Sequence, residues 1–444
     1  MTSDIKSRRN FVKLTVAGAV GSTIGWDAAS YARILGSNER IGIGVVGFSE
    51  RGQDALFPAL QHLSGEQNCE FVAVSDIWKL HREEGAAWLG KLANKSIAQA
   101  RNNDELYTMK NVDAVLISTA DHQHALHGVE AVKAGRDAYI EKPLANQMSD
   151  ARAILKAVKE TKRIVQIGTQ RRSTANVQRA KEFLQSGEFG AVNLVELTYN
   201  ANQPARWRRP KLVAALRHED TDWNRFVMGR TKDAFDPHKY IEFRLYWPYS
   251  SGIADQWMVH PVDAMQFVTG VAHPRSVIAQ GGIYNWRDGR NNPDSITAVF
   301  DYGDAKQGFQ VVFTGHLNNA ARGQSDIYYS INGKFDLNSG KVTREGGLTE
   351  RYAKGEWKAS ALNERTLNVE ERQSNAAPEV RAGVEAATVA HMRNWLECVR
   401  SRQSPIADVQ AGFNHSVALC MTITALHSGK RVTFDDVKQD VVAA

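Results

Sequence analysis

Ile41-Gly42-Ile43-Gly44-Val45-Val46-Gly47-Phe48-Ser49-Glu50-Arg51-Gly52 is the stretch on which the reading of this chain turns. Its first six residues form a short, β-branched apolar run suited to a strand buried on both faces. A glycine turn follows, and helical periodicity then runs through Ala55, Leu56, Leu60 and Leu63. Strand, tight turn and helix in this order are the shape of a dinucleotide-binding unit, with Gly47 and Gly52 as the outer glycines and Ser49 where the middle one is usual. Serine there costs some clearance for a pyrophosphate, yet it stays small and offers a hydroxyl.

The context extends the pattern. A second apolar strand, Phe71 to Ser75, ends at Asp76, 24 residues beyond Gly52. An acid at that place accepts from adenosine ribose hydroxyls and repels a 2′-phosphate, which favours NAD; NADP is the alternative because Lys79 and Arg82 stand nearby. The competing reading of Asp76 is a helix N-cap. A third strand spans Val112 to Thr119, and Ala120-Asp121-His122-Gln123-His124 opens a helix running through Ala134. His122, His124 and His127 suggest a metal, but no carboxylate or cysteine cluster supports one. They are expected to line the carboxyl edge of the sheet or to cap the helix. Beyond them lies Tyr139-Ile140-Glu141-Lys142-Pro143, a lysine at the end of a buried strand.

Val112 to Leu144 resembles the second part of the Rossmann domain in the glucose-fructose oxidoreductase and inositol dehydrogenase family (Gfo/Idh/MocA). The likeness runs from Ile41 to about Phe434 and includes His391-Met392-Arg393-Asn394-Trp395-Leu396 and Ala407-Asp408-Val409. It implies that Glu-Lys-Pro closes the fifth strand and that Lys142 is catalytic. It implies a cofactor site drawn from Gly47, Ser49, Arg51, Gly52, Asp76, Thr119, His122, His124, Glu141, Lys142 and Gln170.

Past the strand Ile164 to Gly168 the period changes to two, in Asn193 to Tyr199 and in parts of Ser276 to Tyr284, Ser295 to Asp301, Phe309 to Phe313 and Ile327 to Ile331. These are strands of a sheet with one buried face. The fold class expected is α/β: an N-terminal Rossmann dinucleotide-binding domain, then a C-terminal α+β domain with a large, predominantly antiparallel open sheet. Boundaries are placed at 33–168 and 169–444. In the family such a sheet makes a subunit interface, which implies a homodimer or homotetramer.

Residues 207–286 hold five of the ten tryptophans. They suit a wall for the apolar face of a sugar, with Arg172, Arg206 and Arg244 as donors to hydroxyls or a carboxylate, or alternatively core packing and oligomer contacts. The segment Ser251 to Asp263 resembles the family's Asp-x-x-x-His-x-x-Asp. His260 and Asp263 match it; Gln256 stands at the first aspartate's place, with Asp255 one residue earlier. The resemblance makes Lys142, His260 and Gln256 the catalytic set, and Lys142, Arg172, Arg244, Trp257 and His260 the substrate contacts. No metal is expected. A core or capping histidine is the alternative for His260.

Composition is that of an ordinary globular protein, and a net charge of +6 spread along 444 residues gives no case for nucleic acid. Cys69, Cys398 and Cys420 build neither a disulfide framework nor a zinc site and read as small buried hydrophobes. Ser7-Arg8-Arg9-Asn10-Phe11, the weakly apolar run Leu14 to Gly25 and Ser30-Tyr31-Ala32 resemble a twin-arginine export signal over residues 1–32. The run is too short to span a bilayer. The expected protein is a periplasmic or otherwise extracytoplasmic NAD(P)-dependent oxidoreductase that moves a hydride between nicotinamide and a carbohydrate or polyol, with its cofactor retained and no stable membrane insertion after cleavage. The alternatives are an NAD-dependent glycosidase or lyase acting through transient sugar oxidation, and a non-catalytic sugar-binding relative.

Overall fold

The structure is a computed structural model that describes residues 40–304, 306–346, 360–367 and 384–443. The expected export signal lies outside the described residues, and they form one compact unit.

Six short strands make the first sheet: β1 (Ile41–Val46), β2 (Cys69–Ser75), β3 (Ala98–Ala100), β4 (Ala114–Ile117), β5 (Asp137–Ile140) and β6 (Val165–Ile167). Their order is β3-β2-β1-β4-β5-β6, and all pairs are parallel. The helices Phe57–Leu63, Lys79–Ala93, His124–Lys133 and Met148–Thr161 alternate with these strands. Every residue of β1, β4, β5 and β6 is buried, as a sheet covered on both faces requires. The strand order reverses between β1 and β4, so the crevice at their carboxyl ends is the topological switch point where ligands bind in such sheets.

The second sheet has ten strands among the described residues. They are β7 (Val192–Asn200), β8 (Pro274–Gly282), β9 (Ser295–Gly303), β10 (Gly308–His316), β11 (Gln324–Ser330), β12 (Gly333–Asp336), β13 (Lys341–Arg344), β14 (Arg365–Thr366), β15 (Val432–Asp435) and β16 (Asp440–Ala443). All its pairs are antiparallel except β7 with β10. Burial alternates along β9, β10 and β11, the signature of a sheet with one packed face. The helix Val409–Ser428 covers that face and also packs on Met148–Thr161 of the first half, so one apolar core runs through both. The expected fold class is the observed one.

All three cysteines are buried and free, as expected. Among the described residues no helix is long and apolar enough to cross a membrane.

Candidate active site

The first cavity, about 380 Å³, opens at the carboxyl edge of the parallel sheet. Gly47, Ser49, Asp76 and Thr119 line it. Gly47 has φ +86°, and a Cβ there would meet the Thr119 methyl at 2.7 Å, so the turn accepts only glycine. Ser49 spends its hydroxyl inside the turn: it bonds Ser118 Oγ at 3.0 Å and accepts from Gly52 N at 3.1 Å. The hydroxyl thus stiffens the loop. A Cβ on Gly52 would meet the Phe57 ring at 2.3 Å; this glycine serves close packing of the helix, and Gly52 does not line the cavity.

Asp76 accepts Phe48 N and Trp78 N, each at 2.9 Å, one on each oxygen. It caps no helix, since the following helix starts at Lys79 after Trp78. A carboxylate has about four lone-pair sites, so capacity for two ribose hydroxyls remains. Glu84 lines the same cavity, whereas Lys79 and Arg82 do not; Arg82 donates to the Asp76 carbonyl instead. Two acids without these cations suit an unphosphorylated ribose. Thr119 Oγ1 is buried without a partner among the described residues, an orphan that a ligand hydroxyl or amide satisfies. Volume, glycine turn, acid and orphaned hydroxyl together fit a dinucleotide.

Several expected cofactor contacts lie elsewhere. His122 is buried with its two ring nitrogens 3.2 and 2.8 Å from the Tyr249 and Phe226 carbonyls; burial takes it down to about 3, so the neutral ring donates its one N–H to only one of them. His124 sits on the Pro143 and Thr119 carbonyls. Burial disfavours the charged form of both imidazoles, and a neutral ring has one N–H to give to a loop carbonyl. Arg51 pairs with Glu141 and Glu385. Gln170 donates to Tyr139 Oη and to Glu141. None of these four residues lines the cavity.

Glu141 and Lys142 follow β5 directly. Burial pushes the Glu141 carboxyl up, but the Arg51 guanidinium and the Lys142 ammonium outweigh it and hold the group below its usual range. Lys142 is followed by a cis bond to Pro143, and its Nζ donates to the Gln256 carbonyl at 3.1 Å. Burial lowers Lys142 to about 8, against the opposing pull of Asp121 and Glu141.

Gln256 belongs to a π-helical turn, Ala254–Met258, that leads into the helix Val259–Thr269. The extra residue of that turn separates its neighbours: Asp255 points inward and accepts Ser251 N at 2.7 Å, while Gln256 faces Asp121 and Arg244. Burial with the nearby Asp121 charge pushes Asp255 up. Arg244 Nε donates to Gln256 Oε1 at 2.9 Å, and Arg244 lines the first cavity.

His260 opens onto a second cavity with Arg171, Thr198, Tyr199, Gln324 and Asp326. Burial first, then the Lys142 and Arg171 charges, hold its imidazole well below the ordinary histidine value, so it is neutral. Arg171 is ion-paired with Asp326 on β11.

Two substrate expectations need correction. Arg172 makes a two-pronged ion pair with Asp263 at 2.8 and 2.9 Å, and His415 closes the network. It is a buried structural cation and lines neither cavity. Trp257 is 4% exposed, stacked on Tyr199 at 4.6 Å and close to Trp207. Trp223 likewise packs with Phe226 and Tyr249. These tryptophans make core, and Arg206 lies over Trp207. The segment they brace has another use: Trp207, Arg209, Leu212, Phe226, Tyr240 and Phe243 form the far wall of the first cavity.

The sequence reading passed over Asp121, Glu50 and Arg209. Asp121 was visible as an acid just past β4, where ligands bind, but its partner stands 135 residues away and no spacing links them. The Glu50–Arg209 pair spans 159 residues.

Residues 41–169 match the oxidoreductase family with the NAD-binding Rossmann fold, GFO_IDH_MocA. The chain is 27% identical over 232 residues to inositol 2-dehydrogenase of Salmonella paratyphi B, a match covering 51% of this chain and 64% of that protein. The chain thus spans under two thirds of the length of this relative. In fold it is similar to levoglucosan dehydrogenase in complex with NADH and levoglucosan, with TM-score 0.64, 15% identity, and 89% of this chain and 99% of the other covered. It is similar also to the WlbA dehydrogenase from Chromobactrium violaceum in complex with NADH and UDP-GlcNAcA, with TM-score 0.65, 16% identity, and 90% and 97% covered. The glycine turn, Asp76 and the Glu141-Lys142-Pro143 element all lie within the stretch 41–169 that matches the NAD-binding Rossmann fold of this oxidoreductase family.

Proposed function

We propose that this protein is an NAD-dependent oxidoreductase that moves a hydride between nicotinamide and a hydroxyl or carbonyl carbon of a sugar or polyol. The observation that carries the reading is the placement of Lys142. Its ammonium sits at the carboxyl end of β5, lowered to about 8, bonded to the carbonyl of Gln256, whose side chain receives Arg244 from the wall of the first cavity, and its charge is felt by His260. The relatives' names, inositol and levoglucosan dehydrogenases, support the substrate class.

Bound NAD supplies the hydride acceptor. The chain's own residues manage the proton and the oxygen. Neutral His260 takes the hydroxyl proton on its ring nitrogen as the alcohol is oxidised. Lys142 Nζ donates to the same oxygen and stabilises its developing negative charge. In the reverse direction the lysine polarises the carbonyl and the histidine returns the proton. The hydroxyls, amides and paired Arg171–Asp326 charges of the second cavity suit a neutral, polyhydroxylated molecule.

Export by the twin-arginine route, with the nucleotide loaded beforehand and retained, is part of the proposal. Ser7-Arg8-Arg9 supports the route. The far wall formed by Trp207 to Phe243, with Arg209 ion-paired to Glu50, supports retention. The solvent side of the ten-stranded sheet, with Ile278 52% exposed on β8, supports a homo-oligomer.

The deciding experiment is a screen of inositols and mono- and disaccharides against the purified protein, following reduced-nicotinamide absorbance. An absorbance change with at least one alcohol, lost in Lys142→Ala while nucleotide binding persists, is the expected result. Turnover unchanged in Lys142→Ala overturns the assignment, and glycoside cleavage without net redox change replaces it with the lyase alternative. Nucleotide released on denaturing the protein is expected; none at any stage of preparation excludes a retained cofactor.

A further inference from the structure

Lys142 is a cation drawn out of water, and such a charge needs an opposite one nearby. Two acids stand close. Glu141 is already committed: it receives Arg51, Gln170 and the Lys142 backbone N–H. Asp121 is differently engaged. It opens the short turn after β4, is 2% exposed, and its Oδ2 accepts only neutral donors, Ser250 Oγ and Gln256 Nε2, both at 2.6 Å. No cation of the described residues forms an ion pair with it.

The bond to Gln256 has consequences at three atoms. Asp121 accepts only, so the Gln256 amide must turn its NH2 toward the carboxylate. Its Oε1 then faces away and receives Arg244 Nε at 2.9 Å, while the backbone carbonyl of the same residue receives Lys142 Nζ at 3.1 Å. Ser250 holds the carboxylate in the orientation that does this and also accepts Gly252 N, at the start of the segment that carries Gln256. One anion therefore sets the position of a lysine, an amide and an arginine drawn from three separate parts of the chain.

We propose that Asp121 is the positioning residue of this site: its carboxylate orients Gln256 and supplies the countercharge that keeps Lys142 an ammonium, the form in which it holds the substrate oxygen. The inference rests on the reading that assigns Lys142 to the reacting oxygen. The other charged or titratable groups around the lysine and Asp121 include Glu141, Arg244, Arg51, His260, His124 and Asp255, an acid that burial and the Asp121 charge push up. Arg244 and Arg51 oppose the ammonium and Glu141 favours it, so loss of Asp121 leaves two cations against one committed acid.

The test reads Lys142 directly and needs no turnover. Trace acetylation of the folded protein at a series of pH values, with the Lys142 peptide quantified by mass spectrometry, gives the lysine's titration midpoint. The wild type is expected near 8. In Asp121→Asn the midpoint falls by about one unit or more, raising the neutral fraction at pH 7 from about one in ten to about one in two. Asp121→Glu restores it. If the asparagine variant does not fold, Asp121→Ser, too short to reach Gln256, takes its place with the same expected shift. An unchanged midpoint in a folded variant without the charge overturns the inference. A midpoint that moves as stated in a protein whose Lys142→Ala form still oxidises alcohols supports the charge coupling and overturns the proposed reaction, so the two failures are distinct.

Discussion

Two buried clusters of charge lie near the start of the helix Val259–Thr269, and they differ in one respect. Around Asp263, Arg172 and His415 close a network in which the carboxylate receives both prongs of the guanidinium and the imidazole. Around Gln256, the network of Asp121, Arg244 and Lys142 ends at a cavity, with an arginine on its wall and a lysine poised to titrate. The first uses its hydrogen-bonding capacity internally and holds structure; the second leaves capacity for a ligand. Residue type does not separate them, since both contain an arginine and an aspartate. Saturation does.

The contrast can be broken most sharply at Lys142. Its replacement by alanine should lower turnover by about a thousandfold, with nucleotide still bound on equilibrium dialysis. Stability should respond in the other cluster: Asp263→Ala leaves Arg172 buried and unpaired and should cost about 3–5 kcal/mol in denaturant unfolding. Arg244→Ala should reverse that pattern, with kcat/KM down about ten- to a hundredfold and unfolding changed by about 1 kcal/mol or less. Equal loss of stability in both variants would erase the distinction drawn here.

The titration of Lys142 sharpens the comparison further. A lysine lowered from 10.5 to about 8 is an ammonium below pH 8, so carbonyl reduction that relies on it should fall as pH rises through about 8. The folding linkage has the opposite sense. Between about 8 and 10.5 the unfolded chain holds a proton that the folded one has released, so this group's contribution to stability rises with pH across that window. The smallest effect concerns the half-exposed Glu50–Arg209 pair: Arg209→Ala should speed nucleotide dissociation by up to about fivefold, less in high salt, as followed by stopped-flow fluorescence.

Much of the fold was legible because its signals are local. The apolar run 41–46, the glycine turn, Asp76 at the end of β2 and Lys142 at the end of β5 each follow from a few neighbouring residues. Period-two runs marked β7 to β11 for the same reason. The candidate site was legible only in part. Arg172 and Arg244 look equally available in sequence, as do the tryptophans of 207–286, and their partners decide otherwise. Arg172 meets an acid 91 residues away, and Trp257 stacks on Tyr199.

Gln256 is the clearest case of what distance hides. In sequence it stands at the place of an expected aspartate, and Asp255 beside it invites a one-residue adjustment. The π turn sends Asp255 into the core and leaves Gln256 facing an acid, Asp121, carried by the β4 edge. By itself the sequence determined the parallel nucleotide half, the strand-rich second half and the lysine at their junction, because backbone periodicity and turn chemistry act over a few residues. Tertiary structure alone decided which charges are satisfied and which remain free, because hydrogen-bond saturation is set by groups that meet only when distant segments pack.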